Sequence, residues 1–215
     1  MDAVLLASFA LLHKGEKAAD LGTGTGIIPV LMAARHPSAH FTGLEIQPDY
    51  VDMARRSVRF NHLENRIDIV EGDIKEAAAL FGAASFQVVT SNPPYIPAGN
   101  GKKSSAGRVG IARHEILCTM EDVAGQASRI LISSGRFYLV HRPLYLPRIL
   151  EALKKEHLEP KRMRLVHPYA DREPTLVLIE SVKGARPELR IMPPLIIFEK
   201  DGVYTQEVER IYGGG

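Results

Sequence analysis

Apolar and polar residues along the chain form blocks that predict an ordered series of strands and helices. Short apolar runs without a helical period predict strands, and apolar residues three and four positions apart predict helices. The predicted strands are 17–21, 41–45, 67–70, 86–89, 136–140, 161–166 and 175–180, followed by an extended apolar segment at 191–198. The predicted helices are 2–12, about 27–35, about 49–62, a short one after 73, 115–130 and 144–157. Strands that alternate with helices indicate an α/β fold with a mostly parallel, doubly wound sheet.

The last two predicted strands are separated only by a loop at 167–174 that has no helical period. They can pair antiparallel, because parallel neighbours need a longer crossover connection. We therefore expect a seven-stranded sheet with an antiparallel hairpin at one edge. No internal repeat or second domain is evident, so the chain is interpreted as a single domain over residues 1–215.

Composition narrows the class of protein without identifying a function. The 215 residues are 45% apolar and 24% charged, which is ordinary for a globular protein. The sequence has neither a run of 18 apolar residues nor a signal-peptide pattern, which predicts a cytoplasmic protein without a membrane partner. The single cysteine, Cys118, excludes an internal disulfide and a cysteine-rich zinc site. The eight histidines show no metal-ligand spacing, so no metal is expected.

The first candidate site is the segment 20–26, Asp-Leu-Gly-Thr-Gly-Thr-Gly, which ends the first strand and opens a helix. Glycines suit a turn that needs positive φ and a ligand that lies against bare main chain. The N–H groups of the helix start add hydrogen-bond donors. A dinucleotide fingerprint would require Gly-x-Gly-x-x-Gly, but Ile27 and Pro29 occupy the third glycine position in the two possible frames. A nicotinamide or flavin dinucleotide is therefore disfavoured.

Acidic residues end the next two strands. Glu45 lies 19 residues after Gly26, where a carboxylate can accept hydrogen bonds from ribose hydroxyls. Asp73 follows the third strand, within reach of an adenine amino group, and Ile46 and Ile74 are available to sandwich the ring. Taken alone, Asp73 is equally typical of a helix N-cap. Since ligands of open α/β sheets bind beyond the carboxyl ends of the strands, these residues are expected to share one site.

The fourth strand leads into Asn92-Pro93-Pro94-Tyr95. Two prolines keep the backbone extended and remove two donors, which leaves nearby carbonyl groups available as acceptors. The Asn92 side-chain oxygen and the Pro93 carbonyl can each accept one hydrogen from an amino group conjugated to a planar ring. Tyr95 can stack on the base, a contact worth roughly 1–3 kcal/mol. The alternative is a turn initiated by Asn-Pro.

Together, the glycine turn, Glu45, Asp73 and the Asn-Pro-Pro-Tyr segment resemble the class I, Rossmann-like, S-adenosylmethionine (AdoMet)-dependent amino-group N-methyltransferases. More narrowly, the chain is similar to the bacterial tRNA1(Val) adenine-37 N6-methyltransferase family. The further blocks that carry this similarity are 2–7, 135–143, 158–162, 182–184 and 204–205.

The resemblance implies AdoMet as cofactor, S-adenosyl-L-homocysteine as product, and no metal. The implied cofactor-binding residues are Asp20, Gly22, Thr23, Gly24 and Gly26 for the methionine part, Glu45 for the ribose, Asp73, Ile46 and Ile74 for the adenine, and Asn92. The implied catalytic residues are Asn92, Pro93, Pro94 and Tyr95. The implied partner is the anticodon loop of a tRNA, whose adenine can be splayed out of its stack to reach the site.

A basic loop follows the catalytic motif directly. Residues 96–113 show no periodicity, and the stretch 101–114 contains no acidic residue. Such a loop can simply be solvated, but its position also allows it to lie along the phosphates beside the target base. The candidate RNA-binding residues are Lys102, Lys103, Arg108 and Arg113. Lys161, Arg162 and Arg164 can extend this footprint, or serve only to solubilise an edge strand.

Four alternatives remain beside this interpretation. Ribosomal RNA amino methylation is compatible with the same motifs. Protein glutamine N5-methyltransferases also use Asn-Pro-Pro-Tyr, because a glutamine amide is planar and conjugated, but they carry an additional N-terminal helical domain. A non-catalytic AdoMet-binding or RNA-binding protein is disfavoured by the intact Asn-Pro-Pro-Tyr segment, and a dehydrogenase by the glycine spacing. Family members carry a few tens of residues before the 2–6 segment, where only Met1 stands here, so the resemblance implies either a truncated chain or a short member of the family. In relatives this segment helps to close the cofactor pocket.

Overall fold

The computed structural model describes residues 1–93, 118–200 and 202–213. In this part of the chain the helices are α1 (Asp2–Phe9), α2 (Ile27–Arg35), α3 (Pro48–Phe60), α4 (Ala77–Phe81), α5 (Met120–Ile130), α6 (Leu146–Lys155) and α7 (Gln206–Gly213). Two 3₁₀ turns cover Ile74–Glu76 and Pro143–Tyr145. The strands are β1 (Lys17–Leu21), β2 (His40–Glu45), β3 (Ile67–Glu71), β4 (Phe86–Ser91), β5 (Leu131–His141), β6 (Leu158–His167), β7 (Leu176–Lys183), β8 (Arg190–Ile191), β9 (Leu195–Ile196), β10 (Phe198–Lys200) and β11 (Val203–Tyr204).

Within the described residues, nine strands form the main sheet, in the order β3-β2-β1-β4-β5-β7-β6 with β8 and β9 both paired with β6. In the described part of this main sheet, β7 runs antiparallel to both of its neighbours, β5 and β6, and the other pairs are parallel. Strands β10 and β11 form a separate antiparallel pair. The expected α/β class and antiparallel hairpin are confirmed. The expected number of seven strands is wrong, because two short strands within 190–196 cover the outer side of β6. Strands of two residues are too short to produce a recognisable apolar pattern.

Helices cover both faces of the sheet. One core contains buried residues of α1, α2, α3 and α7, and the other contains buried residues of α4, α5 and α6. Strand β5 supplies both cores, with Phe137 and Leu139 on one side and Tyr138 and Val140 on the other. This alternation follows from the two-residue period of a strand. A strand buried on both faces has a continuous apolar sequence, which is why β5 was predictable.

Several element boundaries differ from those predicted. Helix α1 ends at Phe9 rather than at residue 12, because Ala10 has extended backbone (φ −71°, ψ 132°). Strand β5 begins at Leu131 rather than at 136, since the strand continues through an irregularity where Ser134 has φ 61°. The helix predicted from 115 begins at Met120, where Thr119 and Asp122 form a capping box, and residues 115–117 lie outside the described ranges.

The carboxyl ends of the parallel strands meet at one edge of the sheet, here called the carboxyl edge. In this register Leu21 of β1 lies opposite both Leu44 of β2 and Ser91 of β4, and Ser91 lies opposite Leu139 of β5. The segments that follow these strands therefore leave the sheet side by side. Among the described residues, no helix has the length and apolar character needed to cross a bilayer.

Candidate functional site

The glycine turn after β1 adopts a backbone conformation that is unfavourable for residues with a Cβ atom. Gly22, Gly24 and Gly26 have φ of 75°, 55° and 78°, in the left-handed region that favours glycine. The N–H groups of Gly22 and Thr23 both donate to the Leu44 carbonyl at 2.9 Å. These bonds hold the turn against the end of β2. The turn therefore presents main chain at the carboxyl edge, as a cofactor cradle requires.

Glu45 closes the turn from the end of β2. The side chain is 6% exposed, and its Oε2 accepts a 2.9 Å hydrogen bond from the Gly24 N–H. Its Oε1 accepts a second 2.9 Å bond from the Gln47 N–H. A carboxylate offers about four acceptor positions, so Glu45 can hold the backbone and still accept from ribose hydroxyls. The sequence indicated only the ribose role, because the backbone contacts depend on the folded turn.

Asp20 is a buried carboxyl with one oxygen left unsatisfied. Its Oδ1 accepts a 2.6 Å hydrogen bond from the Thr90 hydroxyl, whereas Oδ2 has no hydrogen-bond partner among the described residues. Burial raises the pKa of Asp20 to about 6, the hydroxyl groups of Thr90 and Thr23 lower it, and the charge of Glu45 raises it slightly. The buried Thr23 Oγ1 also lacks a partner in the described part of the chain. Unsatisfied buried acceptors are costly, so this position fits a ligand that brings a cationic donor, such as an ammonium group.

Thr90 and Ser91 contact residues of the candidate site, and the sequence reasoning missed them. The hydroxyl of Ser91 donates to the Leu21 carbonyl at 2.8 Å, one residue beyond the contact between Thr90 and Asp20. The signal was the pair of polar residues at the end of an otherwise apolar strand. Their partners could be identified only from the register of β4 against β1.

Asp73 caps the 3₁₀ turn that follows β3. Its Oδ1 accepts a 2.9 Å hydrogen bond from the Lys75 N–H, which is the N-cap alternative considered from the sequence. The turn carries Ile74 to the cradle, since Ile74 Cδ1 would lie 3.5 Å from a Cβ placed on Gly22. Ile46 is half-buried and directly follows Glu45. The predicted adenine-binding residues are thus brought to the same edge as the glycine turn.

Asn92 and Pro93 follow β4 directly, and both are half-buried. Because Ser91 lies opposite Leu21, these two residues leave the sheet beside the beginning of the glycine turn. The other predicted catalytic and RNA-binding residues lie outside the described residues, namely Pro94, Tyr95, Lys102, Lys103, Arg108 and Arg113.

The basic residues of β6 have structural partners. Arg162 forms an ion pair with Glu180 of β7. Arg164 binds both carboxylate oxygens of Glu207 on α7, at 2.7 and 2.8 Å. Lys161 Nζ donates to a backbone carbonyl at 3.2 Å. Arg162 therefore joins β6 to β7, and Arg164 joins β6 to α7. The sequence analysis considered only RNA binding or solubilisation of an edge strand for these residues.

Among the described residues, neither a metal-binding cluster nor the cavity beside α1 adds to this site. The described residues contain no group of three or more His, Cys, Asp or Glu side chains able to hold a metal ion. A cavity of about 620 Å³ lies between α1, the end of α2 and α7, and residues such as Leu11, Arg35 and Arg210 line it. None of the predicted site residues lines that cavity. The candidate site is therefore the carboxyl edge between β1, β2 and β4.

Known proteins resemble this chain in sequence and in fold. The methyltransferase small domain family matches residues 2–161. A tRNA1(Val) (adenine(37)-N6)-methyltransferase of Porphyromonas gingivalis is 30% identical, over 98% of this chain and 85% of the relative. The corresponding protein of Phocaeicola vulgatus is 29% identical, over 83% of this chain and 74% of the relative.

Solved structures show the same architecture. A predicted O-methyltransferase from Agrobacterium tumefaciens matches with a TM-score of 0.82 and 28% identity, covering 100% of this chain and 96% of that chain. A geranyl diphosphate C-methyltransferase from Streptomyces coelicolor, 14% identical with a TM-score of 0.63 over 84% of this chain and 79% of that chain, shares the fold. The chain belongs to the methyltransferase small domain family and, within it, to the family of the tRNA1(Val) (adenine(37)-N6)-methyltransferases.

Proposed function

We propose that this protein transfers a methyl group from AdoMet to the exocyclic N6 of an adenine in tRNA, adenine 37 beside the anticodon, and releases S-adenosyl-L-homocysteine. The names of the relatives support the reaction and the substrate. The observation that carries the proposal is the register in which Leu21 lies opposite Ser91. With this register, the glycine turn that follows Leu21 and the start of the acceptor segment (Asn92 and the residues after it, which receive the target base) lie at neighbouring positions on one edge of the sheet. Because the proposed substrate is tRNA, we expect the enzyme in the cytoplasm. We also expect residues 1–215 to act as one domain.

Different residues of the cradle bind different parts of the cofactor. Asp20 Oδ2, buried without a donor, receives the ammonium group of the methionine part, while the backbone of the glycine turn contacts the remainder of that part. Glu45 accepts hydrogen bonds from the ribose hydroxyls. Asp73, Ile46 and Ile74 surround the adenine. When bound, AdoMet supplies an electrophilic methyl group on its sulfonium sulfur.

The acceptor side is built to orient a flat amino group. The Asn92 side-chain oxygen and the Pro93 carbonyl each accept one N6 hydrogen, which favours a pyramidal nitrogen with its lone pair directed at the methyl group. Tyr95 stacks on the adenine ring. No strong general base is required, because the leaving group is a neutral thioether and the nitrogen can lose its proton after attack. Alignment of donor and acceptor then supplies most of the rate, a contribution that can reach about 7–11 kcal/mol.

The test is incubation of the protein with methyl-labelled AdoMet and total bacterial tRNA, followed by digestion to nucleosides. Label in N6-methyladenosine is the expected result, and sequencing of the modified tRNA should locate it beside the anticodon. Parallel reactions contain ribosomal RNA and release factor protein, which represent the two substrate alternatives. Label in protein, in N2-methylguanosine or in ribose O-methyl groups would refute the adenine N6 assignment. The last outcome is included because the Agrobacterium relative is described as an O-methyltransferase.

A further inference from the structure

The segment after β5 lies on the carboxyl edge beside the acceptor segment. Ser91 lies opposite Leu139, and β5 continues to His141 before the chain turns. Adjacent strands are about 4.8 Å apart. The turn Arg142–Tyr145, here called the β5 loop, therefore leaves the sheet one strand away from Asn92.

The surface formed by the β5 loop and the first turn of α6 combines positive charge with an exposed apolar side chain. Arg142 and Arg148 are both exposed, and residues 141–150 include no acidic side chain. Leu144 lies between them and is 79% exposed. A large apolar side chain at this exposure has no role in the core of the protein, and in the sequence it stands between two exposed arginines.

Contacts with the buried side chain of His141 hold the backbone of the β5 loop in place. His141 is buried, and its Nδ1 accepts a 2.8 Å hydrogen bond from the Arg142 N–H. The imidazole ring packs edge-on against Tyr145 with ring centroids 5.2 Å apart, and the Tyr145 N–H donates to the Arg142 carbonyl at 3.1 Å. Burial lowers the pKa of His141, which preserves the neutral ring that this contact needs. The exposed position of Leu144 is thus imposed by a fixed turn.

We propose that the β5 loop, together with Arg148 in the first turn of α6, binds the RNA strand next to the target adenine, with Arg142 and Arg148 on phosphates and Leu144 against the face of the neighbouring base. This inference rests on the proposed RNA methyltransferase function. Guanidinium groups match the geometry of phosphate. An adenine that leaves its stack exposes one face of the adjacent base, and an apolar side chain can cover that face. Leu144 would thereby stabilise the splayed-out conformation and act as a positioning residue.

The test compares variants of the loop with matched variants at the opposite edge of the sheet. Arg142→Gln and Leu144→Ser alter the loop. Arg129→Gln is the charge control, since Arg129 is exposed near the end of α5 just before β5 begins. Phe60→Ser is the apolar control, since Phe60 is 86% exposed at the end of α3. For each variant, steady-state kinetics on tRNA give kcat and KM, tRNA binding at several salt concentrations gives the salt slope, and calorimetry gives the AdoMet affinity.

Arg142→Gln is expected to raise KM for tRNA and to reduce the slope of log affinity against log salt by about 0.7–0.9, the contribution of one phosphate contact. Leu144→Ser is expected to lower kcat roughly tenfold without changing that slope. Leu144→Met keeps an apolar surface and should restore turnover. AdoMet affinity should stay the same in all variants.

Two kinds of failure can be separated. If the unaltered protein methylates no tRNA, the proposed function is wrong. If it methylates tRNA while Arg142→Gln and Leu144→Ser behave like the two control variants, the proposed function stands and the role of the β5 loop is refuted. A loss of AdoMet affinity in the loop variants would also contradict the inference, since it would place their effect at the cofactor cradle.

Discussion

The Thr90 hydroxyl donates a 2.6 Å hydrogen bond to Asp20 Oδ1 across the paired ends of β4 and β1. The second carboxyl oxygen, Oδ2, is buried and has no partner among the described residues. The hydrogen bond fixes the plane of the carboxyl group and thus the direction in which Oδ2 is presented to a ligand. It also joins the strand that carries the acceptor segment to the strand that carries the cofactor turn.

AdoMet binding is expected to depend on the ionisation of Asp20. Burial raises the pKa of this carboxyl to about 6, so the charged form that attracts an ammonium group is lost as the pH falls below that value. The dissociation constant for AdoMet should approach a constant value toward pH 7 and rise about tenfold per pH unit well below 6. Titration calorimetry from pH 5 to 7 measures this break.

Thr90→Val should shift that break to higher pH. Removal of the hydroxyl takes away a donor that stabilises the charged carboxylate, so the pKa of Asp20 rises further. Ser91→Ala is the matched control, because the Ser91 hydroxyl donates to the Leu21 carbonyl rather than to Asp20. An unchanged break in Thr90→Val, or an equal shift in Ser91→Ala, would contradict the role assigned to Thr90.

Asp20→Asn is expected to stabilise the ligand-free protein while abolishing AdoMet binding. The pKa of Asp20 is raised from 3.8 to about 6, so its ionisation costs stability progressively between these values and by a constant amount at higher pH. Replacement by the neutral amide should raise the free energy of unfolding at pH 8 by at most roughly 3 kcal/mol. Below pH 3.8 this linkage contribution disappears.

Urea unfolding at pH 4 and pH 8 measures the difference. Asp171→Asn serves as control, because the Asp171 side chain is 81% exposed and a surface substitution should change stability by less than about 0.5 kcal/mol. A stability difference between Asp20→Asn and the original protein that is the same at both pH values would show that ionisation of Asp20 is not its cause.

These residues show where sequence reasoning succeeds and where it stops. The glycine turn and Glu45 were predictable because each is a local signal, a glycine pattern or an acid at the end of an apolar run. The contact between Asp20 and Thr90 was not predictable, because it depends on which strands are neighbours. The partners of Arg162 and Arg164 were missed for the same reason, since Glu180 and Glu207 are distant in sequence and adjacent only through the order of the sheet and the docking of α7. Short motifs could therefore be predicted from the sequence, whereas contacts that depend on which strands are neighbours could not.

Asn92→Ala should separate catalysis from cofactor binding. Asn92 lies beside the beginning of the glycine turn, and its proposed role is to accept a hydrogen from the target amino group. Turnover on tRNA should fall by roughly 100-fold or more, as when a single positioned hydrogen-bonding group is removed from an active site. AdoMet affinity should change little. Asn61→Ala, at the exposed end of α3, is the control. Near-normal turnover in Asn92→Ala would refute the role of its oxygen.

Gly43→Ala should distort the glycine turn, because residue 43 of β2 packs against Thr23 of that turn. A Cβ at this position of β2 would lie 2.8 Å from Thr23 Cγ2 and 3.0 Å from Ile69 Cδ1. The displaced Thr23 would distort the glycine turn, so we expect a loss of about 1–3 kcal/mol of stability together with weaker AdoMet binding. Thermal unfolding and calorimetry measure the two effects. In Gly125→Ala, in the middle of α5, the new Cβ would lie 3.5 Å from the Glu156 Cδ at the end of α6, which is an ordinary contact, so this control should be neutral or stabilising.

The ion pair between Arg162 and Glu180 is expected to hold α1 on the sheet. Both side chains are largely buried, the Arg162 guanidinium lies 4.7 Å from the centroid of the Phe9 ring, and its Nη2 donates to the Phe9 carbonyl at 3.3 Å. Arg162→Met should lower the free energy of unfolding by about 3–5 kcal/mol, because Glu180 is left buried without its cation.

Adding Glu180→Leu to Arg162→Met should recover most of that loss, since the uncompensated charge is then removed and apolar side chains occupy the space. Arg56→Met is the control, because the pair between Arg56 and Asp52 is about 60% exposed at both side chains and should contribute less than about 1 kcal/mol. Urea unfolding of the original protein, Arg162→Met, Glu180→Leu and the double variant gives the coupling energy between the two side chains. A double variant as unstable as Arg162→Met alone would show that the arginine acts through its packing on Phe9. In that case the binding of α1 to the sheet would depend on the cation–π contact and not on the neutralisation of Glu180.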